Sequence, residues 1–212
     1  MNRFIFCLII CLLTPLTGIC QVKNNTKIFI NPASDENGAT VGKVICRTDR
    51  FINTGSGTLV GPDLVLTCAH TISSKNIEFT LRDKTYLGKL IALDIDTDRA
   101  LLRLKDKLNL KFKKIRTTPP EQNSKFKSYG YGDSFGYHSG VYKDGMFYAK
   151  AIYGDSGGPI LDENGDIIDV ICSVADETEN SPANIYGHGY KDLIDWFNKY
   201  KNYNGSDPII TD

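Results

Sequence analysis

The chain has 212 residues, which is enough for one or two compact domains with a sizeable buried core. Lys and Arg together number 25, and so do Asp and Glu, which gives a formal net charge of zero. A neutral chain has no general attraction for nucleic acid or for an anionic membrane, so neither is expected as a partner.

The first 20 residues are predicted to form a secretory signal peptide. Arg3 supplies a positive charge, and the apolar run over residues 4–13 is too short to span a membrane. Cys20 is small enough to allow cleavage directly after it. Ile19 is bulky where a bacterial lipoprotein signal has a small residue, so a lipid anchor on Cys20 is not expected. The mature protein is therefore expected to be secreted, either outside the cell or into a periplasm.

From Val41 onward the sequence is typical of an all-β fold. Short apolar and β-branched runs are separated by turn signals, and residues 77–81 alternate between apolar and polar with a period of two. The predicted strands of this first half cover residues 44–46, 55–60, 64–69, 77–81, 89–93 and 100–104. Short strands at regular spacing indicate a sandwich or a barrel.

The second half of the chain follows a polar stretch, residues 105–123, which contains two consecutive prolines and is predicted to be a linker. Its predicted strands cover residues 126–131, 140–142, 147–151, 160–161 and 167–174. Apolar residues then recur at helical spacing over residues 191–203. This pattern predicts an amphipathic C-terminal helix with Trp196 packed inward.

A serine between glycines, in residues 154–159 (GDSGGP), has the composition of a catalytic loop. Glycine allows backbone conformations closed to other residues, so the amides of Gly154 and Ser156 can point at one spot and stabilise an oxyanion. Ser156 would be the nucleophile, and its hydroxyl needs a base that a carboxylate orients. The G-x-S-x-G elbow of α/β-hydrolases requires a helix directly afterwards, but the hairpin signal Asn164-Gly165 follows here, which excludes it.

Three histidines are candidates for the base. His70 follows a predicted strand, where its side chain could reach a serine from another segment. His138 and His188 lie in polar, loop-like segments and are expected to be structural or surface residues.

The motifs resemble those of trypsin-like (chymotrypsin-fold) serine proteases. Residues 66–70 (LTCAH) resemble the T-A-A-H segment around the catalytic histidine, and Asp98 with the apolar strand behind it resembles the D-I-A-L-L segment. Residues 154–159 match G-D-S-G-G-P in full, and the order His, Asp, Ser is that of the family. The resemblance covers residues 41–200. It implies two six-stranded antiparallel β-barrels with a C-terminal α-helix and the active site between the barrels.

The resemblance also implies a role for each site residue. Ser156 attacks the scissile carbonyl and forms an acyl-enzyme, and the two loop amides bind the oxyanion. His70 transfers the proton, and Asp98 holds His70 in the required tautomer. Asp94 and Asp96 are alternatives for the acid, although the apolar strand directly after Asp98 favours Asp98. The chain would then be a secreted serine endopeptidase that acts on proteins or peptides, as a monomer and without a cofactor.

Within the family, residues 55–63 most resemble the bacterial-type glutamyl-endopeptidase branch. Lys150 stands six residues before the serine, where trypsins carry an aspartate, and would attract an acidic substrate residue if it reaches the pocket. It would equally fit a position facing solvent. The branch tends to have a histidine in its pocket strand, but residues 170–174, which include Ser173, have none. His188 is the candidate substitute.

The sequence predicts four segments. They are a signal peptide over residues 1–20, a possible propeptide over 21–27, an N-terminal barrel over 28–115, and a C-terminal barrel with the helix over 116–212. In the family, the acid that matches Asp155 often pairs with a freed N-terminal amine. Cleavage after Lys27 would free Ile28, so a mature chain that starts at Ile28 is expected.

Two further hypotheses remain open. The chain could be an inactive homologue that binds partners on the same scaffold, although its complete triad argues against this. A metal site could use Cys68 and His70, but no further ligand is evident and zinc needs three or four, so no metal is expected. Beyond the signal segment, Cys46, Cys68 and Cys172 are expected to be small buried apolar residues.

Overall fold

The computed structural model describes residues 27–174, 184–186 and 190–211. The predicted signal peptide, residues 21–26 of the predicted propeptide and His188 lie outside these residues. In chain order the strands are β1 (Ile28–Phe29), β2 (Val41–Arg47), β3 (Ile52–Leu59), β4 (Leu64–Thr67), β5 (Ile77–Leu81), β6 (Lys84–Asp94), β7 (Arg99–Leu104), β8 (Lys125–Gly130), β9 (Gly136–Lys143), β10 (Met146–Tyr148), β11 (Pro159–Leu161), β12 (Ile167–Val170), β13 (Ser173–Val174), β14 (Asn184–Tyr186) and β15 (Ile209–Thr211). The helix α1 covers Tyr190–Tyr200.

The first sheet closes into a six-stranded antiparallel barrel in the order β2, β3, β4, β7, β6 and β5, with β5 pairing back to β2. Buried side chains such as Val44, Val65, Phe79 and Leu102 form its core. Burial of these branched and aromatic side chains on one face of each strand stabilises the closed ring. β15 joins outside the ring, parallel to β6, which the sequence did not predict.

The second sheet follows the order β12, β11, β8, β9, β10, β14 and β13, and β1 also pairs with β9. β12 and β13 stand at opposite ends of this order but are separated in the chain only by Ile171 and Cys172, so the sheet curls back on itself. Phe126, Phe147 and Ile160 lie in its core. The predicted all-β fold with a C-terminal helix is therefore confirmed.

Two predicted strands are shorter than expected because the chain leaves the sheet near the serine motif. β10 ends at Tyr148 and not at residue 151. The strand predicted over residues 167–174 is interrupted because Ile171 hydrogen-bonds to the serine motif. The N–H of Ile171 donates to the carbonyl of Gly158 at 2.8 Å, and its own carbonyl accepts from the N–H of Gly157 at 2.7 Å.

One apolar cluster, which we call the central cluster, joins both sheets to the helix. Leu66 and Leu101 contribute from the first barrel, Tyr129 and Leu161 from the second sheet, and Trp196 from α1. The cluster fixes the two sheets against each other, so elements from both can build one site. The domain boundaries predicted above stay predictions.

The helix predicted over residues 191–203 is confirmed, although it ends at Tyr200. Asp192 in its first turn and Lys199 in its last suit the helix dipole. Among the described residues, no helix combines the length and the apolar character needed to cross a membrane.

Candidate active site

His70 lies in a short 3-10 turn that follows β4 directly. Side-chain hydrogen bonds fix this turn at both ends. The hydroxyl of Thr71 donates to the carbonyl of Cys68 at 2.8 Å, and the amide group of Asn53 donates to the carbonyl of His70 at 3.0 Å. The imidazole stands at the end of the barrel and is 48% exposed, so it is accessible to a substrate.

Asp98 holds His70 through two hydrogen bonds. The Nδ1–H of His70 donates to Oδ2 at 2.7 Å, and the backbone N–H of His70 donates to Oδ1 at 2.8 Å. Nε2 is therefore the ring nitrogen that Asp98 leaves unbound. Asp94 instead accepts from the N–H of Thr97 at 3.1 Å, and Asp96 is exposed. The structure thus brings Asp98, and neither of the two alternatives, to the histidine.

The contact with Asp98 changes the proton affinity of His70. The hydrogen bond that His70 donates to Asp98, followed by the contact with Cys68, raises the pKa of His70 from 6.5 to about 10, and partial burial opposes this shift. His70 therefore keeps its proton until the solution is alkaline, and only its neutral form can act as a base.

Two glycines with positive φ shape the serine loop, residues 154–158. The φ angles are +94° at Gly154 and +81° at Gly157, where a side chain would be strained. A Cβ atom at Gly157 would also collide with the hydroxyl of Thr67 and the carbonyl of Ser56. Neither the Gly154 nor the Ser156 amide donates a hydrogen bond to any described residue. Both remain available for an oxyanion.

Ser56, in β3, anchors the serine loop to the first barrel. Its N–H donates to the carbonyl of Ser156 and its hydroxyl donates to the carbonyl of Gly154, both at 2.7 Å. The same hydroxyl accepts from the N–H of Tyr131 at 2.9 Å. Ser56 is fully buried, so these bonds are shielded from water. The glycines on either side of Ser56 are the only local sequence signal for this role, and they do not by themselves predict it.

His70 and Ser156 come from different sheets but border the same region. A Cβ atom at Gly55 would collide with the Thr71 methyl group, next to His70, and would lie 2.8 Å from the carbonyl oxygen of Ser156. Within the described residues, no hydrogen bond joins the His70 ring to the Ser156 hydroxyl, and Nε2 faces Cys68 Sγ at 3.7 Å. Hydrogen bonds of this kind are often loose before substrate binds.

Residues 55–168, more than half of the chain, match the family model of the trypsin-like peptidase domain. The chain belongs to this family. The match covers His70, Asp98 and Ser156 together. No curated protein sequence matches the chain.

Solved structures share the fold of this trypsin-like peptidase domain. The active form of the Rv3671c protease from M. tuberculosis is 20% identical with a TM-score of 0.67, and the alignment covers 84% of this chain and 85% of that chain. An inactive form of Rv3671c with serine replaced by alanine is 20% identical, with a TM-score of 0.62 and coverage of 82% and 92%. A serine endoprotease from Yersinia pestis is 18% identical, with a TM-score of 0.65 and coverage of 81% and 66%. These matches establish the fold, and the glutamyl-endopeptidase branch stays a prediction.

The peptidase domain also places a third possible metal ligand beside the two that the sequence suggested. One ligand atom each from Cys68, His70 and Asp98 lies within 4.8 Å of the others. Both oxygens of Asp98 already accept hydrogen bonds from His70. Each oxygen keeps a further lone pair, so the group offers at most three ligands, the lower limit of the three or four that zinc requires. The group therefore fits a hydrogen-bonded acid–base pair better than a metal centre.

The three predicted pocket residues differ in what the structure describes. Lys150 is half-buried and lies in an irregular segment after β10, on the way to the serine loop. Ser173 opens β13. His188 lies outside the described residues. Their part in substrate recognition stays a prediction.

Asp155, the residue before the serine, is the centre of a buried charged group, but its cation is a lysine side chain and not the freed N-terminal amine expected from the sequence. Lys27 Nζ lies 2.6 Å from Asp155 Oδ1, and His138 Nε2 lies 3.4 Å from Oδ2. The expectation that His138 occupies a polar loop is wrong, because His138 belongs to β9 and is buried. Nothing in the local sequence around Lys27 or His138 indicates this contact.

Proposed function

We propose that the protein is a secreted serine endopeptidase that hydrolyses peptide bonds in proteins or peptides through an acyl-enzyme intermediate. The observation that carries the proposal is the hydrogen-bonded pair of His70 and Asp98 beside a loop with a serine. Two backbone N–H groups of this loop donate to no other described residue. Membership of the trypsin-like peptidase family supports it. Export is supported by the signal-peptide pattern of the first 20 residues.

Acylation needs two proton transfers through His70 and the stabilisation of the negative charge that forms on the carbonyl oxygen. Ser156 Oγ attacks the scissile carbonyl carbon while its proton passes to His70 Nε2. Asp98, already bound to Nδ1–H, stabilises the imidazolium that forms. The carbonyl oxygen becomes negative, and the amides of Gly154 and Ser156 stabilise it. The imidazolium then gives its proton to the leaving amine, and the acyl group stays on the serine.

Deacylation repeats these steps with water in place of the amine. His70 takes a proton from the water, whose oxygen attacks the acyl carbon. The amides stabilise the second oxyanion, and the proton returns to Ser156 Oγ as the acid product leaves. His70 carries the proton in both half-reactions, and no cofactor is proposed.

Covalent labelling tests the proposal directly. A fluorophosphonate should add one adduct to the purified protein, and peptide mapping should locate it on Ser156. Ser156→Ala should remove the adduct without changing the melting temperature. A folded wild-type chain that neither labels nor cleaves a denatured protein would contradict the proposal.

The second candidate function is that of an inactive homologue that acts as a binding module. It is favoured by one observation, namely that His70 Nε2 faces Cys68 Sγ and makes no hydrogen bond to the Ser156 hydroxyl. Labelling separates the two candidates. A binding module would remain unlabelled across the whole pH range, including the alkaline range in which His70 loses its proton.

A metal-dependent reaction is tested by removing metal ions. Because the proposed steps use side chains and amides alone, we expect fluorophosphonate labelling and peptide hydrolysis to be unchanged after dialysis against a chelator. Cys68→Ala should likewise keep its activity insensitive to the chelator. Loss of activity that added Zn²⁺ restores would instead identify a metal at Cys68 and His70.

The substrate preference depends on where Lys150 points. If its ammonium group reaches the pocket, an acidic residue before the scissile bond is favoured by charge pairing in a desolvated site. Profiling of the wild type and of Lys150→Ala on the same peptide library tests this. A preference for acidic residues that survives Lys150→Ala would show that another group sets it.

A further inference from the structure

The carboxylate of Asp155 is buried and bound at both oxygens. Oδ1 accepts from Lys27 Nζ at 2.6 Å and from the N–H of Gly132 at 2.9 Å. Oδ2 accepts from the N–H of Ile152 at 3.1 Å and lies 3.4 Å from His138 Nε2. The side chains of Asp155 and Lys27 are only 1% and 5% exposed, so water contributes little to this arrangement.

A carboxylate at this depth requires a cation. Burial by itself would raise the pKa of the Asp155 carboxyl, but the contacts with His138 and Lys27 outweigh it and lower the pKa. Lys27 Nζ is also fixed from a second side, because it donates to the carbonyl of Gly132 at 2.6 Å. The ammonium group thus joins Asp155 and the Gly132 segment in a single hydrogen-bonded unit.

Asp155 controls the backbone of the serine loop. It lies between Gly154 and Ser156, whose amides are the candidate oxyanion donors. Its side chain accepts from the N–H of Ile152 before the loop, and its carbonyl accepts from the N–H of Gly158, the last residue of the loop, at 2.9 Å. Whatever holds this carboxylate therefore also sets the direction of the two amides.

We infer that the side-chain ammonium group of Lys27 is the cation that holds the serine loop in its catalytic arrangement, and that cleavage after Lys27 is not required. Lys27 is thus a positioning residue. The inference rests on the proposed function, and it replaces the expected mature start at Ile28. Cleavage after Lys27 would separate this ammonium group from the chain that contains Asp155.

The position of Ile28 supports this. Ile28 and Phe29 form β1, which pairs with β9 opposite Tyr137 and Gly136. A Cβ atom at Gly136 would collide with the carbonyl of Ile28, so the two strands lie in close contact. Ile28 is thus held in the second sheet, whereas the side chain of Lys27 already reaches Asp155.

The first test is the N-terminus of the active protein together with its labelling rate. Intact-mass analysis of the fluorophosphonate adduct should show a chain that retains Lys27. Lys27→Met should label about a hundredfold more slowly, because small shifts in a catalytic group have effects of this size. The matched control is Lys105→Met, which changes an exposed lysine and should label at the wild-type rate. A labelled chain that begins at Ile28, or a Lys27→Met variant that labels normally, would overturn the inference.

The second test does not depend on catalysis. In a Ser156→Ala background, Lys27→Met should speed hydrogen exchange of the amides of residues 153–158 by about tenfold or more, since local opening sets this rate. Asp155→Asn should produce the same change, and adding Lys27→Met to it should have little further effect, because both act through one contact. Unchanged exchange in Lys27→Met would refute the positioning role. If exchange rises while the wild type cannot be labelled, the proposed function fails and the positioning role stands.

If Lys27→Met does not fold, the double variant Lys27→Met with Asp155→Asn decides the question, because it leaves no unpaired buried charge. We expect this pair to fold and to show fast loop exchange. Wild-type exchange in the folded pair would contradict the inference.

Discussion

At the scale of single residues, His70 depends on one acid for its orientation. Asp98 accepts one hydrogen bond from the ring and one from the backbone of His70. Its φ of +49° lies in the left-handed region, which Asp and Asn tolerate better than most residues. Replacing the Asp98 carboxylate by the amide of Asn therefore keeps the backbone conformation at this position. It tests only the effect of the carboxylate on His70.

We expect Asp98→Asn to lower kcat for peptide hydrolysis by about 10⁴-fold, because the amide would hold His70 in the wrong tautomer. Thermal unfolding should be little changed. Asp96→Asn is the matched control, since Asp96 is exposed in the same turn, and its kcat should equal that of the wild type. An Asp98→Asn enzyme that keeps wild-type kcat would show that another residue orients the base.

The pH dependence of labelling follows from the same contact. In the proposed reaction His70 must be neutral to accept the serine proton, and its pKa is raised to about 10, so the labelling rate should rise with pH from neutral into the alkaline range. Asp98→Asn should move this rise to lower pH, because the charge that favours the imidazolium is removed. The measurement is the fluorophosphonate rate constant at a series of pH values in both proteins. A rate in the wild type that is constant above pH 7 would contradict the assignment.

At the scale of secondary structure, β3 contributes a contact that no local sequence motif predicts. Ser56 joins the serine loop to the barrel, and Thr67, at the end of β4, donates to the carbonyl of Ser56 at 2.7 Å. The strand that ends before His70 and the loop that carries Ser156 are thus tied to the same residue. The relative position of His70 and Ser156 therefore depends on β3.

We expect Ser56→Ala to destabilise the protein by about 1–3 kcal/mol, because it leaves a partly buried carbonyl at Gly154 and a partly buried N–H at Tyr131 without the partner they now share. The labelling rate should fall as well, since the loop loses its anchor. Thr58→Val is the matched control on the same strand. Its hydroxyl is buried without a hydrogen-bond partner among the described residues, so its loss should leave both stability and labelling unchanged or improved. Urea unfolding and labelling rates check both variants, and equal effects in the two would refute a specific role for Ser56.

At the scale of the whole molecule, the central cluster makes the two sheets interdependent. It contains side chains from the first barrel, the second sheet and α1, so each half buries part of its apolar surface against the other in addition to its own core. The ends of the described chain add to this, because β1 pairs in the second sheet and β15 pairs in the first. The two sheets are thereby held together at both ends of the described chain as well as at the central cluster.

We expect the protein to unfold in one transition because of this shared cluster. Leu101→Ala should cost about 2–5 kcal/mol and shift the transition without splitting it. Far-UV circular dichroism and Trp196 fluorescence should report the same midpoint in urea. Ile210→Ala, which changes an exposed side chain of β15, should have little effect. Two separate transitions would show that the halves fold independently.

The sequence by itself determined the all-β class, the C-terminal helix and the candidate triad. Each of these signals lies in a short continuous stretch. Strand periodicity, helical spacing and the motifs around His70, Asp98 and Ser156 depend on neighbours along the chain, so they can be read without coordinates.

Only the tertiary structure decided which distant side chains support the site. Lys27 meets Asp155 across 128 positions, and Ser56 meets Gly154 across 98. Such contacts depend on how the two sheets pack, and a lone lysine or serine in a sequence has no pattern that predicts them. For the same reason the sequence assigned Lys27 to the end of a removable segment, whereas in the folded chain its ammonium group is the buried partner of the carboxylate beside the serine.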